Sequence, residues 1–167
     1  MGERAFAFIE DGDTLYCYRS QWGGTTAAID TLFSATRPSD SFDAILEHEW
    51  QFLGSCHREH LCEYIASQPI AALYFVHSGG VEVYCPLRFE LGLTEPSDNG
   101  SGVVCLRASS LKSFRQCRQS VREFKGVLLD FVRDNTLTPA QAARISESAY
   151  NLVSSTTCSI SLCGKHL

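Results

Sequence analysis

The stretch GSCHREHLC, residues 54–62, sets Cys56, His57, His60 and Cys62 within seven positions. Thiolate and imidazole are zinc ligands, and a structural zinc ion takes four of them in a tetrahedron. Four ligands packed this tightly cannot easily surround one ion, whereas closed sites draw their ligands in pairs from separate segments. On a helix Cys56 and His60 share a face, as do His57 and His60, while Cys62 points elsewhere. Cys158, Cys163 and His166 form a second loose set, so a composite site needs both segments. The expectation is no cofactor, with zinc at Cys56, His57, His60 and Cys62 as the alternative.

A second pattern is electrostatic. The chain of 167 residues has a formal net charge of −5, distributed unevenly. Residues 1–106 hold five basic and fifteen acidic side chains, residues 107–125 six basic and one acidic, and residues 126–167 three of each. Lys112, Arg115, Arg118, Arg122 and Lys125 recur at helical spacing and form one stripe beside an apolar face. Cations in the first half of a helix oppose its dipole by about 0.3–1 kcal/mol each. Something must offset that cost. One candidate is the protein's own acidic half, through Glu47, Glu49, Glu59 or Glu63; the other is an acidic protein or nucleic acid. No aromatic residue is interleaved on the stripe, which gives no support to single-strand binding.

The turn after residue 20 is a third candidate. Tyr18, Arg19, Trp22 and Gly23 could form the floor of a small-ligand pocket. The alternative is that Trp22 packs against the end of the sheet, as large aromatics commonly do. Catalytic motifs are absent: there is no G-x-S-x-G, P-loop, dinucleotide fingerprint or H-E-x-x-H. A Cys–His pair such as Cys56 with His77 is not selected by any spacing, so no catalytic residue is assigned.

These residues need elements to position them. RAFAFIE (4–10) and TLYCYR (14–19), joined through Asp11-Gly12-Asp13, read as a β-hairpin. Thr25 or Thr26 caps a short helix to about Ser34. Ser41 caps another, with Phe42, Ile45, Leu46, Glu49 and Phe52 at helical spacing and Gly54 at its end. Residues 70–77 and VEVYCPLRF form a second hairpin across Gly79-Gly80. Pro86 inside it indicates an edge position or a bulge. Residues 103–108 are a further strand. A long helix runs from Ser109 or Ser110 to about Asp134, with Gly126 a weak point inside it. Thr138 and Pro139 open a last helix. The fold class is α+β: an antiparallel sheet of about five strands with helices packed on one face, a single domain over 1–155 and a loosely packed tail over 156–167.

Composition fits this reading. Apolar residues make up 44% and charged residues 20% of the chain. No run of eighteen apolar residues suggests a membrane span. The eight cysteines, without an export signal, are expected as mostly buried free thiols, with Cys17, Cys85 and Cys105 inside strand-like runs.

The opening MGERAFAFIEDGDTLYCYRSQWGGT resembles a family of small uncharacterised haloarchaeal proteins that begin Met-Gly-x-Arg-Ala and continue through a hairpin to a Trp-Gly turn. KGVLLDFVRDNTLTPAQAA is similar to that family's later helix pair. The resemblance implies a relationship and a cytoplasmic setting, and transfers no catalytic residue. The Cys/His cluster and the mild acidity depart from the family's pattern. The reading as a whole is a small intracellular, non-catalytic binding protein working through its basic helix face. The alternative is a metal-dependent module or enzyme using the Cys/His residues.

Overall fold

The computed structural model describes residues 3–34, 50–57, 60–61, 65, 69–93, 103–156 and 159–162. The described elements are β1 (Ala5–Asp11), β2 (Thr14–Ser20), α1 (Thr26–Ser34), β3 (Trp50–His57), β4 (Ala72–His77), β5 (Gly80–Arg88), β6 (Val103–Ala108), α2 (Leu111–Arg133), α3 (Pro139–Thr156) and β7 (Ser159–Leu162). The strands form one sheet in the order β3-β2-β1-β4-β5-β6-β7. Six strands, β1 to β6, form its body, and the four-residue β7 adds an edge.

The sheet is mixed. Two antiparallel meanders, β1-β2-β3 and β4-β5-β6, meet at a parallel pair, β1 beside β4, with Ala5 opposite Ala72 and Ile9 opposite Val76. This corrects the expectation of a purely antiparallel sheet of about five strands. The two unexpected strands are the edges. The stretch from Phe52 to Gly54, expected to end a helix, lies in β3. Residues 159–162, within the expected tail, pair with β6. The rest of that expected helix, residues 41–49, lies outside the described residues.

Alternation explains how the sheet buries both faces. On one side Ala5, Ala7, Ala72, Tyr74, Val76, Val83, Cys85, Leu87 and Val104 form a core with Ile29 and Leu32 of α1 and Phe114 of α2. Cys117, Val121 and Phe124 of α2, and Ala149, Tyr150 and Val153 of α3, pack against it. Ala5, Ala7 and Ala72 on the central pair give this face small side chains. The other side carries the bulk: Phe6, Phe8, Leu15, Cys17, Leu73, Phe75, Tyr84, Val103 and Cys105. Its rings run across the strands, Phe8 stacked on Phe75 at 5.5 Å and Phe75 edge-on to Tyr84 at 5.6 Å. Leu61, Ile65 and Ile70 close over this side. Helices α1, α2 and α3 thus pack on one face, while Leu61, Ile65 and Ile70 lie on the other.

Local signals account for the helix ends. Ser110 accepts from the Ser113 backbone N–H, and the Ser113 hydroxyl accepts from the Ser110 N–H, a reciprocal cap. At the other end Asn135 takes φ 56, and Thr136 N–H reaches back to the Phe131 carbonyl, so the helix closes in a left-handed turn. Thr138 and Gln141 repeat the reciprocal cap at the start of α3. Pro86, expected at an edge or bulge, lies in interior β5 opposite Cys105. Its missing N–H is tolerated because the ladder with β4 ends at Tyr84.

Candidate functional site

The long helix α2 presents the basic stripe as its pattern requires. Phe114 and Leu128 are buried against the body, with Cys117, Val121 and Phe124 half-buried beside them. That rotation leaves Lys112, Arg115 and Arg122 exposed, with Arg118 and Lys125 at the margin of the packed face. Arg118 is the tied member. Its Nη2 lies 3.5 Å from Glu3 Oε1, and its guanidinium sits 5.9 Å from the centre of the Phe114 ring. Lys125 Nζ donates to the Arg88 carbonyl at 3.5 Å. Among the described residues, no carboxylate lies within ion-pair distance of Lys112, Arg115 or Arg122. Glu47, Glu49, Glu59 and Glu63, the acidic candidates for offsetting the stripe, lie outside the described residues.

The structure links this stripe to the turn that carries Trp22. Glu3, whose carboxylate meets Arg118, accepts the Gly24 N–H on its backbone carbonyl at 2.7 Å. Trp22 is 57% exposed and does not plug the sheet end. Trp50 of β3 instead packs against the helix-side core, edge-on to Tyr74 at 5.9 Å. The Tyr74 hydroxyl donates to the Gly23 carbonyl, fixing the turn from below. Burial pushes the Tyr74 phenol above its ordinary value, so it remains a donor.

The proposed floor of Tyr18, Arg19, Trp22 and Gly23 does not gather on one surface. Tyr18 and Arg19 are neighbours on β2, so their side chains leave opposite faces. Tyr18 packs at 5.2 Å from Phe52 on the helix side, while Arg19 donates to Gln51 Oε1 at 2.9 Å.

The Cys/His cluster meets the same obstacle. Cys56 and His57 belong to a strand, not a helix, so they alternate in direction. Cys56 turns toward the aromatic side, where its Sγ lies 3.4 Å from Cys17 Sγ. His57 and His60 are exposed, and Cys62 lies outside the described residues. Among the described residues, no three His, Cys, Asp or Glu side chains gather as metal ligands. The Cys56–His77 pair is separated by three strand steps, about 14 Å at the usual spacing. His77 instead lies 3.7 Å from Glu82, which also binds Arg107 at 2.9 Å and accepts from the Tyr84 hydroxyl at 2.7 Å. Sequence reasoning missed two features here, the Cys17–Cys56 contact and this Glu82 network. Both depend on strand register.

Comparison of the chain with protein-family models, curated proteins and solved structures returned no match. Among the described residues, no helix is long and apolar enough to cross a membrane.

Proposed function

We propose that this chain is a non-catalytic binding protein whose working surface is the outward edge of α2, and that it takes an acidic protein segment. One observation carries the reading: Lys112, Arg115 and Arg122 point outward from a firmly capped helix, with no described carboxylate to pair them. From Lys112 to Arg122 the helix rises about 15 Å, the length of a short peptide contact rather than a long duplex. The net charge of −5 works against an extended polyanion and less against a short acidic segment. Arg118, steadied by Glu3 and Phe114, supplies a pre-ordered cation between Arg115 and Arg122. Kinship with the small haloarchaeal family and a cytoplasmic setting belong to the same proposal; a family member with the same strand order would support it. The metal or enzyme alternative gains no observation here, because Cys56 and His57 diverge.

The test is fluorescence anisotropy with a labelled oligo-glutamate peptide and, separately, a DNA duplex. The peptide binds at low ionic strength and is released by salt. Arg115→Glu with Arg122→Glu weakens it about tenfold or more, the scale of losing over 1.4 kcal/mol. Peptide binding unchanged in the double variant sinks the surface, and preference for the duplex replaces the acidic segment by nucleic acid.

A further inference from the structure

We propose that Cys17 and Cys56 are a redox pair that closes into a disulfide across β2 and β3. This inference is independent of the basic face. The two thiols are 39 positions apart in sequence, yet their sulfurs lie 3.4 Å apart on the aromatic side of the sheet. The register explains the approach. Leu15 stands opposite Cys56 and Cys17 opposite Gly54; the ladder then slips, so that Tyr18 meets Phe52 and Leu53 is extra. Gly54 has φ 139, a backbone that favours glycine. With no side chain opposite it, Cys17 Sγ is free to lean along the strand toward Cys56. A disulfide of about 2.05 Å needs the sulfurs about 1.3 Å closer, within reach of small side-chain rotations.

The two thiols have different access. Cys17 is 1% exposed, whereas Cys56 on the edge strand is half-buried. Cys56 therefore meets the oxidant, and Cys17 resolves the intermediate. With a low-molecular-weight disulfide such as oxidised glutathione, the Cys56 thiolate attacks one sulfur and one glutathione thiolate leaves. Cys17, once deprotonated, attacks the Cys56 sulfur of the mixed disulfide and expels the second glutathione thiolate. Two protein thiols lose two electrons, one glutathione disulfide becomes two thiols, and the cysteine protons pass to them. Burial, aided by the Cys56 hydrogen bond, pushes the Cys17 thiol up to about 12, so the resolving step quickens as pH rises. The product staples the edge strand β3 to the sheet body.

The experiment is oxidation of the full chain by oxidised glutathione, followed by non-reducing peptide mapping. A peptide joining Cys17 to Cys56 is expected as the main protein disulfide. It should come with a rise in Tm of about 10 °C, the scale of a loop constraint this long in a chain of this size. Reductant should reverse the rise, and Cys56→Ser should abolish it. Cys17→Ala should leave Cys56 held as the glutathione mixed disulfide. The proposal is overturned if both thiols remain alkylatable, if wild-type Cys56 stops at the mixed disulfide, or if Cys17 joins a different cysteine.

Discussion

Gly24 sits where the chain leaves no room for a side chain. A Cβ there would lie 2.7 Å from the Ala71 Cβ and the Glu3 carbonyl oxygen, and 2.8 Å from the Arg4 carbonyl oxygen. Two of these neighbours are backbone and cannot rotate away. Gly24→Ala must therefore push the turn from the start of β1 and break the Gly24–Glu3 hydrogen bond. The expected cost is about 1–3 kcal/mol, read as a shift in urea midpoint at constant slope. An unchanged midpoint would mean that the turn is looser than this contact implies. Gly23 lies under a milder constraint, since its nearest neighbours are the Ser20 and Trp50 side chains at 3.0 Å. The same turn bears the hydroxyl of Tyr74 and touches Glu3, so the perturbation should also reach Arg118.

At the level of elements, α2 decides how the working surface is presented. Its register rests on the Ser110 cap and on Phe114 and Leu128, which anchor one face. No acidic residue lies in its first turn, so the cap is the main local offset to Lys112 and Arg115. Ser110→Ala is expected to cost about 1 kcal/mol. Gly126→Ala should do the reverse. A Cβ there meets nothing within 4 Å, and alanine removes glycine's entropic penalty, a gain of about 1 kcal/mol. The two variants together form a sharp thermal-denaturation test: opposite signs support a rigid, well-seated α2, and matching signs contradict it. The edge strand β3 is the opposite kind of element. Its burial shows no clean alternation, because the slip around Leu53 and Gly54 interrupts the period of two. With the period of two interrupted, the spacing through Phe52 reads as helical in the sequence.

For the molecule as a whole, buried acids that stay protonated set its response to alkali. Burial raises Cys17 and Cys85 to about 12 from an ordinary 9.0, and raises Cys117 and Tyr74 as well. Between pH 9 and 12 the unfolded chain releases the Cys17 and Cys85 protons and the folded chain keeps them. The folded state then binds more protons than the unfolded one, so stability falls as pH rises. It should be fully present below about pH 9 and progressively lost toward pH 12. Circular dichroism melts across that range check this; a flat Tm from pH 9 to 11 would show that the thiols are more accessible than their packing indicates. Both faces of the sheet contribute, since Cys17 lies on the aromatic side and Cys85 on the helix side.

Features governed by neighbouring residues are legible in the chain alone. The Gly12 hairpin, α1, the start of α2 at Ser109 or Ser110, the Thr138 cap and the apolar face of α2 are all set by interactions spanning a few positions. The exposure of Lys112, Arg115 and Arg122 follows from that face. Tertiary structure alone decided what depends on strand register and distant pairing. The parallel contact of β1 with β4, the placement of Pro86 in an interior strand, the packing of Trp50 on Tyr74, and the meeting of Cys17 with Cys56 are all of this kind. Each brings together residues tens of positions apart. A shift of one residue in register would send every side chain to the other face, and local composition does not fix that choice.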